Sequence, residues 1–178
     1  MRMILAATLA FAPQLALAAG SDDSAPPTPT ETTTECAKGE VWDEKTKACV
    51  AAEDSSRLDN DQRFGAVREL AYAGRPDEAL TILATMTEGE TTRVLTYQGF
   101  LLRQTGQIEE GIAAYERAIA LDTTNILARS YYGQLLVQMN EMELATLQLA
   151  AIRMHGGGGS WAERALSDAI TTGVTYTY

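Results

Sequence analysis

The sequence predicts an all-α protein. It reads as an array of helical hairpins closed by a C-terminal capping helix and preceded by a disordered tether and a small disulfide loop. Three observations carry this. From about Arg57 onward apolar residues return with helical spacing, as in GQIEEGIAAYERAIALDTTN (106–125), where Ile108, Ile112, Tyr115 and Ile119 share one stripe. The pattern then repeats: Gly106 falls on Asn140 at an offset of 34, Gly99 on Gly133, Leu102 on Leu136, Tyr115 on Leu149 and Ala118 on Ile152. After the last copy comes one more amphipathic stretch, SWAERALSDAIT (160–171), with Trp161, Ala165, Leu166, Ala169 and Ile170 on one side.

In chain order, residues 1–18 have the make-up of a signal peptide. Arg2 is the positive end, Ile4 to Ala12 form an apolar run too short to span a bilayer, and Ala16-Leu17-Ala18 is a small-x-small cleavage pattern. Residues 19–35 are rich in Pro, Thr and acidic residues, hold nothing that could form a core, and are expected to be a disordered linker. Residues 36–50 contain the chain's two cysteines, Cys36 and Cys49. In an exported chain these are expected to pair, with Val41-Trp42 and Ala48 to Val50 flanking the polar stretch Asp43 to Lys47 as a pinned hairpin or loop. The pair lacks C-x-x-C spacing and neighbouring histidines, which argues against a redox motif or a zinc site. This stretch resembles part of a peritrophin-type chitin-binding module in its Cys, Gly, aromatic-Asp, Cys rhythm. That family uses three disulfides over a longer span; the resemblance implies carbohydrate or cell-wall binding as an alternative function.

The formal charge is −10, from 24 acidic and 14 basic residues. That balance argues against nucleic acid and against anionic membrane surfaces, and it fits a solvated exterior. No segment after the leader is long and apolar enough to cross a membrane, so an integral membrane protein is not expected. Periplasmic or secreted localisation follows from the leader and the cysteine pair.

Residues 57–155 are expected to be three copies of a helix-turn-helix unit. The first copy, around Gly74, lies 32 positions before Gly106. The small residues Gly111, Ala114 and Ala118 are explained by close approach of neighbouring helices, since glycine inside a helix costs about 1 kcal/mol relative to alanine and needs a packing reason. The unit resembles the tetratricopeptide repeat (TPR). Gly99 and Gly133 match its first-helix glycine, Tyr115 its second-helix aromatic, Ala118 the alanine that follows, and Leu121-Asp122 its closing pair. Leu95 and Arg129 stand where that family has tryptophan, Gly111 replaces an alanine and Thr123 the closing proline. The resemblance spans residues 60 to 155 and implies a right-handed TPR-type array. Residues 160–171 would cap it, with Ser160 and Glu163 forming a capping box. The preceding GGGG, 156–159, reads as a flexible joint, and Thr171 to Tyr178 as an extended or disordered tail.

No motif for a reaction is present: there is no G-x-S-x-G, H-E-x-x-H or Walker sequence, and His155 is the single histidine. No enzyme activity, cofactor or metal is therefore expected. Acidic residues at 109, 110, 141 and 143 open second helices, where the helix dipole favours them. The TPR resemblance implies instead a concave groove lined by the first helix of each copy. Carried over copy by copy, it points to Arg68 and Tyr72, then Arg93, Phe100, Arg103 and Gln104, then Gln134 and Gln138. Cations, aromatics and amides in one groove suit a peptide or partner helix of another protein. Phe100 and Gln134 occupy places where the members of that family that hold a C-terminal carboxylate have asparagine.

Overall fold

The computed structural model describes residues 26–176; the predicted leader (1–18) lies outside the described residues. The described chain is mostly helical, with one two-stranded sheet. Helix α1 (Glu31–Thr34) leads into strands β1 (Glu40–Asp43) and β2 (Ala48–Ala51). Six helices then form three antiparallel pairs: α2 (Asn60–Tyr72) with α3 (Pro76–Leu83), α4 (Thr92–Gln104) with α5 (Ile108–Leu121), and α6 (Ile126–Gln138) with α7 (Met142–Met154). Helix α8 (Trp161–Thr172) follows.

The hairpins start and turn by the same devices. Each first helix has a side-chain N-cap: Asp59 in a full capping box with Gln62, Thr91 over Val94, and Asn125 over Ala128. Each second helix lacks one and carries acids in its first turn instead. Between them the backbone turns through positive φ at Gly74, Gly106 and Asn140, the positions aligned from sequence. The next N–H closes each turn onto the carbonyl of Leu70, Leu102 or Leu136. Asparagine serves at the third turn because it tolerates the left-handed region better than other side chains.

Packing accounts for the small residues. A Cβ on Gly99 would lie 2.7 Å from the Tyr115 ring, and one on Gly111 would lie 3.2 Å from the Gly99 carbonyl, so α4 and α5 cross at these two glycines. On α6, a Cβ at Gly133 would meet Leu166 of α8 at 2.5 Å. Helix α8 contacts α6 and α7 as α6 contacts α4 and α5, and it buries Ala162, Ala165, Leu166 and Ala169. Its N-terminus differs from the expected capping box. Ser160 accepts from the Glu163 N–H, but the Glu163 carboxylate accepts from the Gly159 N–H and from Arg153 instead of from Ser160. The four glycines before it are a built turn: Gly156 and Gly159 take positive φ, and a Cβ on Gly157 would collide with Ile152.

The N-terminal part also differs from expectation. Disulfide Cys36–Cys49 closes the hairpin as predicted, with Trp42 opposite Cys49 and Val41 opposite Val50. Val41 and Val50 enter the core formed with Leu58, Phe64 and Val67. The linker, however, is ordered over 26–35 instead of disordered. Buried Glu69 on α2 accepts from the Thr30 N–H and hydroxyl and from the Thr33 hydroxyl, at 2.7 to 2.8 Å. Arg75 donates to the Thr33 carbonyl, and the Trp42 N–H to the Thr32 hydroxyl. Threonines read as solvated are the hydrogen-bond partners of a buried carboxylate.

Candidate functional site

The first helices present a line of aromatic rings from hairpin to hairpin. Phe64 meets Tyr97 edge-on at 5.1 Å, Tyr97 meets Tyr131 at 6.3 Å, and Tyr131 meets Trp161 at 5.9 Å. Tyr176, after α8, ends the described line against Trp161 at 5.9 Å. Phe100, predicted to offer groove surface, is a core residue beside Tyr131 at 4.9 Å, because its position on α4 faces α6.

Beside this line, the non-helical segment Val174–Tyr176 lies over α6 and reaches α4. The Gln138 amide donates to the Thr175 hydroxyl at 2.7 Å. One turn earlier on α6, Gln134 accepts from the Tyr176 N–H at 2.8 Å and donates a long bond to Ser130. Arg103 Nη2 donates to the Tyr176 carbonyl at 2.7 Å, and Nη1 reaches the Tyr131 carbonyl at 3.5 Å. One residue, Tyr176, is thus held at its N–H, its C=O and its ring. Arg103, Gln134 and Gln138 all bond the same segment and Phe100 lies beneath Arg103, but Arg103 and Gln134 are only 5% and 0% exposed, in part because the chain's own segment lies on them.

The Arg103 guanidinium sits over the Phe100 ring, 5.4 Å from its centroid. Its Nε–H is buried and has no partner, and no carboxylate among the described residues pairs with it. Carbonyl oxygens and an aromatic face are modest compensation for a buried cation.

The remaining predicted residues divide. Arg68 and Tyr72 are half-buried on α2, and Arg68 Nε donates to the Tyr97 hydroxyl at 3.1 Å. Burial, then neighbouring Tyr97, pushes the Tyr72 phenol up, against a smaller opposing effect of Arg68. Gln104 is half-buried with its amide nitrogen unsatisfied. Arg93 is engaged elsewhere: its guanidinium forks onto Glu88 at 2.6 and 2.7 Å, reaches Asp61 at 2.6 Å and lies over Phe64. The Glu88 hydrogen bond raises Arg93 further above the usual guanidinium range, and Arg93 in turn holds Glu88 below the usual carboxylate range. Arg93 therefore offers little free charge to a ligand, and of Arg68, Arg93 and Arg103 only Arg103 lies over Phe100.

Tyr97, Tyr131, Trp161 and Tyr176 are not among the groove residues the sequence pointed to. Phe64, Tyr97 and Tyr131 lie 33 and 34 positions apart, one repeat each, so the aromatic line is visible in the sequence once copies are aligned on rings. A second concavity, about 300 Å³, lies between the disulfide hairpin and α2, lined by Thr28, Trp42, Gln62, Arg68 and Glu69 among others. The outer face of α7 exposes Leu144, Leu147 and Met154. Among the described residues no helix is long and apolar enough to cross a membrane. No protein-family model, curated protein or solved structure matches this chain.

Proposed function

We propose that the chain is an exported, TPR-like adaptor of the periplasm or cell envelope, without catalysis, that binds a peptide or partner helix of another protein on the face of α2, α4 and α6. In this reading the three hairpins are a right-handed TPR-type array and α8 is its capping helix. One observation carries the reading: a non-helical segment already lies on that face, with its main chain bonded to Gln134 and Arg103 and an aromatic side chain against Trp161. Side chains on rigid helices that bond main-chain N–H and C=O groups are the usual means of binding peptides of varied sequence. The repeated turns at Gly74, Gly106 and Asn140 support the array. The disulfide supports export.

The test begins with in vivo crosslinking of the full chain and identification of the captured protein. Binding of that protein is then compared for the parent, Gln138→Ala, Arg103→Ala and, as a control on the outer face of α7, Leu147→Ser. The groove reading expects the first two variants to weaken binding and the control to leave it intact. Loss with Leu147→Ser alone would move the interface to α7.

A second reading, carbohydrate or cell-wall binding, draws on the cleft beside Trp42, whose indole N–H is buried without a partner. Retention on insoluble chitin or peptidoglycan, lost in Trp42→Ala, is its test.

A further inference from the structure

We propose that the Tyr176 position is a recognition subsite for a tyrosine in an extended segment of another chain, and that the protein's own segment keeps this subsite filled until such a ligand displaces it. The inference rests on the groove reading above and adds what the groove selects.

Three groups converge on one residue. Gln134 accepts the N–H and Arg103 donates to the C=O, two contacts that any residue except proline can supply. The ring contact with Trp161 requires an aromatic side chain, and the neighbouring Gln138 bond to Thr175 favours a hydroxyl one position earlier. The preferred ligand is therefore a Thr-Tyr or Ser-Tyr step in non-helical conformation. The same contacts that hold the internal segment define the external one.

The internal segment is held in a way that permits displacement. Tyr176 is 43% exposed and Val174 69%, so little apolar area anchors the segment. Beneath it, Arg103 keeps an unfilled, buried Nε–H, and Gln134 is fully buried. These two polar groups would be costly to leave without partners, so the site is expected to be occupied at all times, by self or by ligand. A covalently attached segment competes at an effective concentration in the millimolar range, which a longer ligand with additional contacts along α4 and α2 can exceed.

The test uses the full chain and a blocked peptide, acetyl-Gly-Val-Thr-Tyr-Thr-amide, which has no terminal carboxylate. Nuclear magnetic resonance follows the Trp161 indole and Gln134 amide signals during titration of the parent and of Tyr176→Ala. Because Tyr176 is partly exposed and follows the last helix, its truncation leaves the helices folded, which the spectrum itself verifies; the alanine in its place can still bond Gln134 and Arg103 through its main chain, but loss of the ring contact with Trp161 weakens the internal segment as a competitor. The expected result is binding to Tyr176→Ala with movement of both signals, and binding to the parent weaker by on the order of tenfold. The same peptide with alanine in place of tyrosine should bind neither protein. Equal affinity for parent and variant would refute the idea of a self-filled site, and no binding to folded Tyr176→Ala would refute the subsite. The underlying groove reading fails by a different result: a captured partner whose binding ignores both Arg103→Ala and Gln138→Ala.

Discussion

Gly133→Ala is the sharpest test of how α8 packs on α6. The substitution adds one methyl group, and a Cβ built there lies 2.5 and 2.6 Å from the two methyl carbons of Leu166 and 3.2 Å from its Cγ. Ordinary carbon contacts are about 3.5 to 4.0 Å, so Leu166 or the helix that carries it must retreat by about 1 Å. Leu166 is fully buried and packed with Leu149 and Ile152, which leaves it no free volume to enter. Overpacking of this kind costs about 1–3 kcal/mol, and the retreat carries α8 with it, so the upper part of that range applies. Alanine returns about 1 kcal/mol through its better helix propensity. The net loss is about 1–2 kcal/mol, or roughly 2–8 °C in the thermal midpoint for a domain of this size. Circular dichroism melts of the parent, Gly133→Ala, Leu166→Ala and the double variant measure it. Leu166→Ala alone should cost about 2–5 kcal/mol, and the double variant should lose less than the sum of the singles, because the new methyl enters the vacated space. A Gly133→Ala midpoint equal to or above the parent's would mean that α8 does not pack on α6 at this point.

Other consequences can be measured the same way. Replacing Cys36 and Cys49 together with serine should cost about 3 kcal/mol by loss of the loop closure, seen as a lower midpoint that reductant no longer changes. Glu69→Ala leaves the Thr30 N–H without its acceptor and two threonine hydroxyls with only local ones, which predicts a loss of about 1–3 kcal/mol and faster proteolysis within residues 26–35; an unchanged cleavage rate would show that this segment is held by other contacts. Glu88 titrates below its unfolded value, so its contribution is present above about pH 4.3 and lost as pH falls through the lower folded value. The midpoint gap between the parent and Glu88→Gln should therefore be constant near neutrality and narrow progressively as pH falls below about 4.3; a gap that does not narrow on acidification would mean the ionised Glu88–Arg93 pair is not its source.

Much of the helical part was legible because repetition makes each position report three times. The turns at Gly74, Gly106 and Asn140 share one backbone conformation, so an alignment on those residues finds helix boundaries without any structure. Gly99, Gly111 and Gly133 could be assigned to close packing, since glycine inside a helix loses stability relative to alanine unless a neighbouring helix needs the space of the Cβ. What was illegible depends on contacts far apart in sequence. Composition made residues 26–35 look solvated, and only a carboxylate at position 69, buried in α2, turns those threonines into structure. The glycines at 156–159 looked like slack, yet their positive φ values and the Ile152 contact require glycine at particular places in a tight turn. The tail was ambiguous for the same reason: VTYTY is β-like by composition, and nothing local states that Gln134, Gln138 and Arg103 wait for it across 37 to 73 positions.

The arginines show what the sequence leaves unsaid about charge on the proposed groove face. Three free arginines at positions 68, 93 and 103 of one groove, in an acidic chain, would make binding fall with added salt. In the structure the three have separate surroundings. Arg93 is neutralised by Glu88 and Asp61, Arg68 is bonded to Tyr97, and Arg103 is almost wholly enclosed. Mobile ions screen exposed charges over about 8 Å at physiological strength but act weakly on an enclosed cation whose partner is in direct contact. Recognition through Arg103 should therefore be a short-range bond to a carbonyl, with specificity set by the ring and amide contacts around it. Titrating the blocked tyrosine peptide into Tyr176→Ala at 50 and 500 mM salt tests this directly. The affinity should change by less than about twofold, because the peptide carries no charge and its principal polar contact is buried. A tenfold fall would place the binding on exposed side chains and remove Arg103 from its centre.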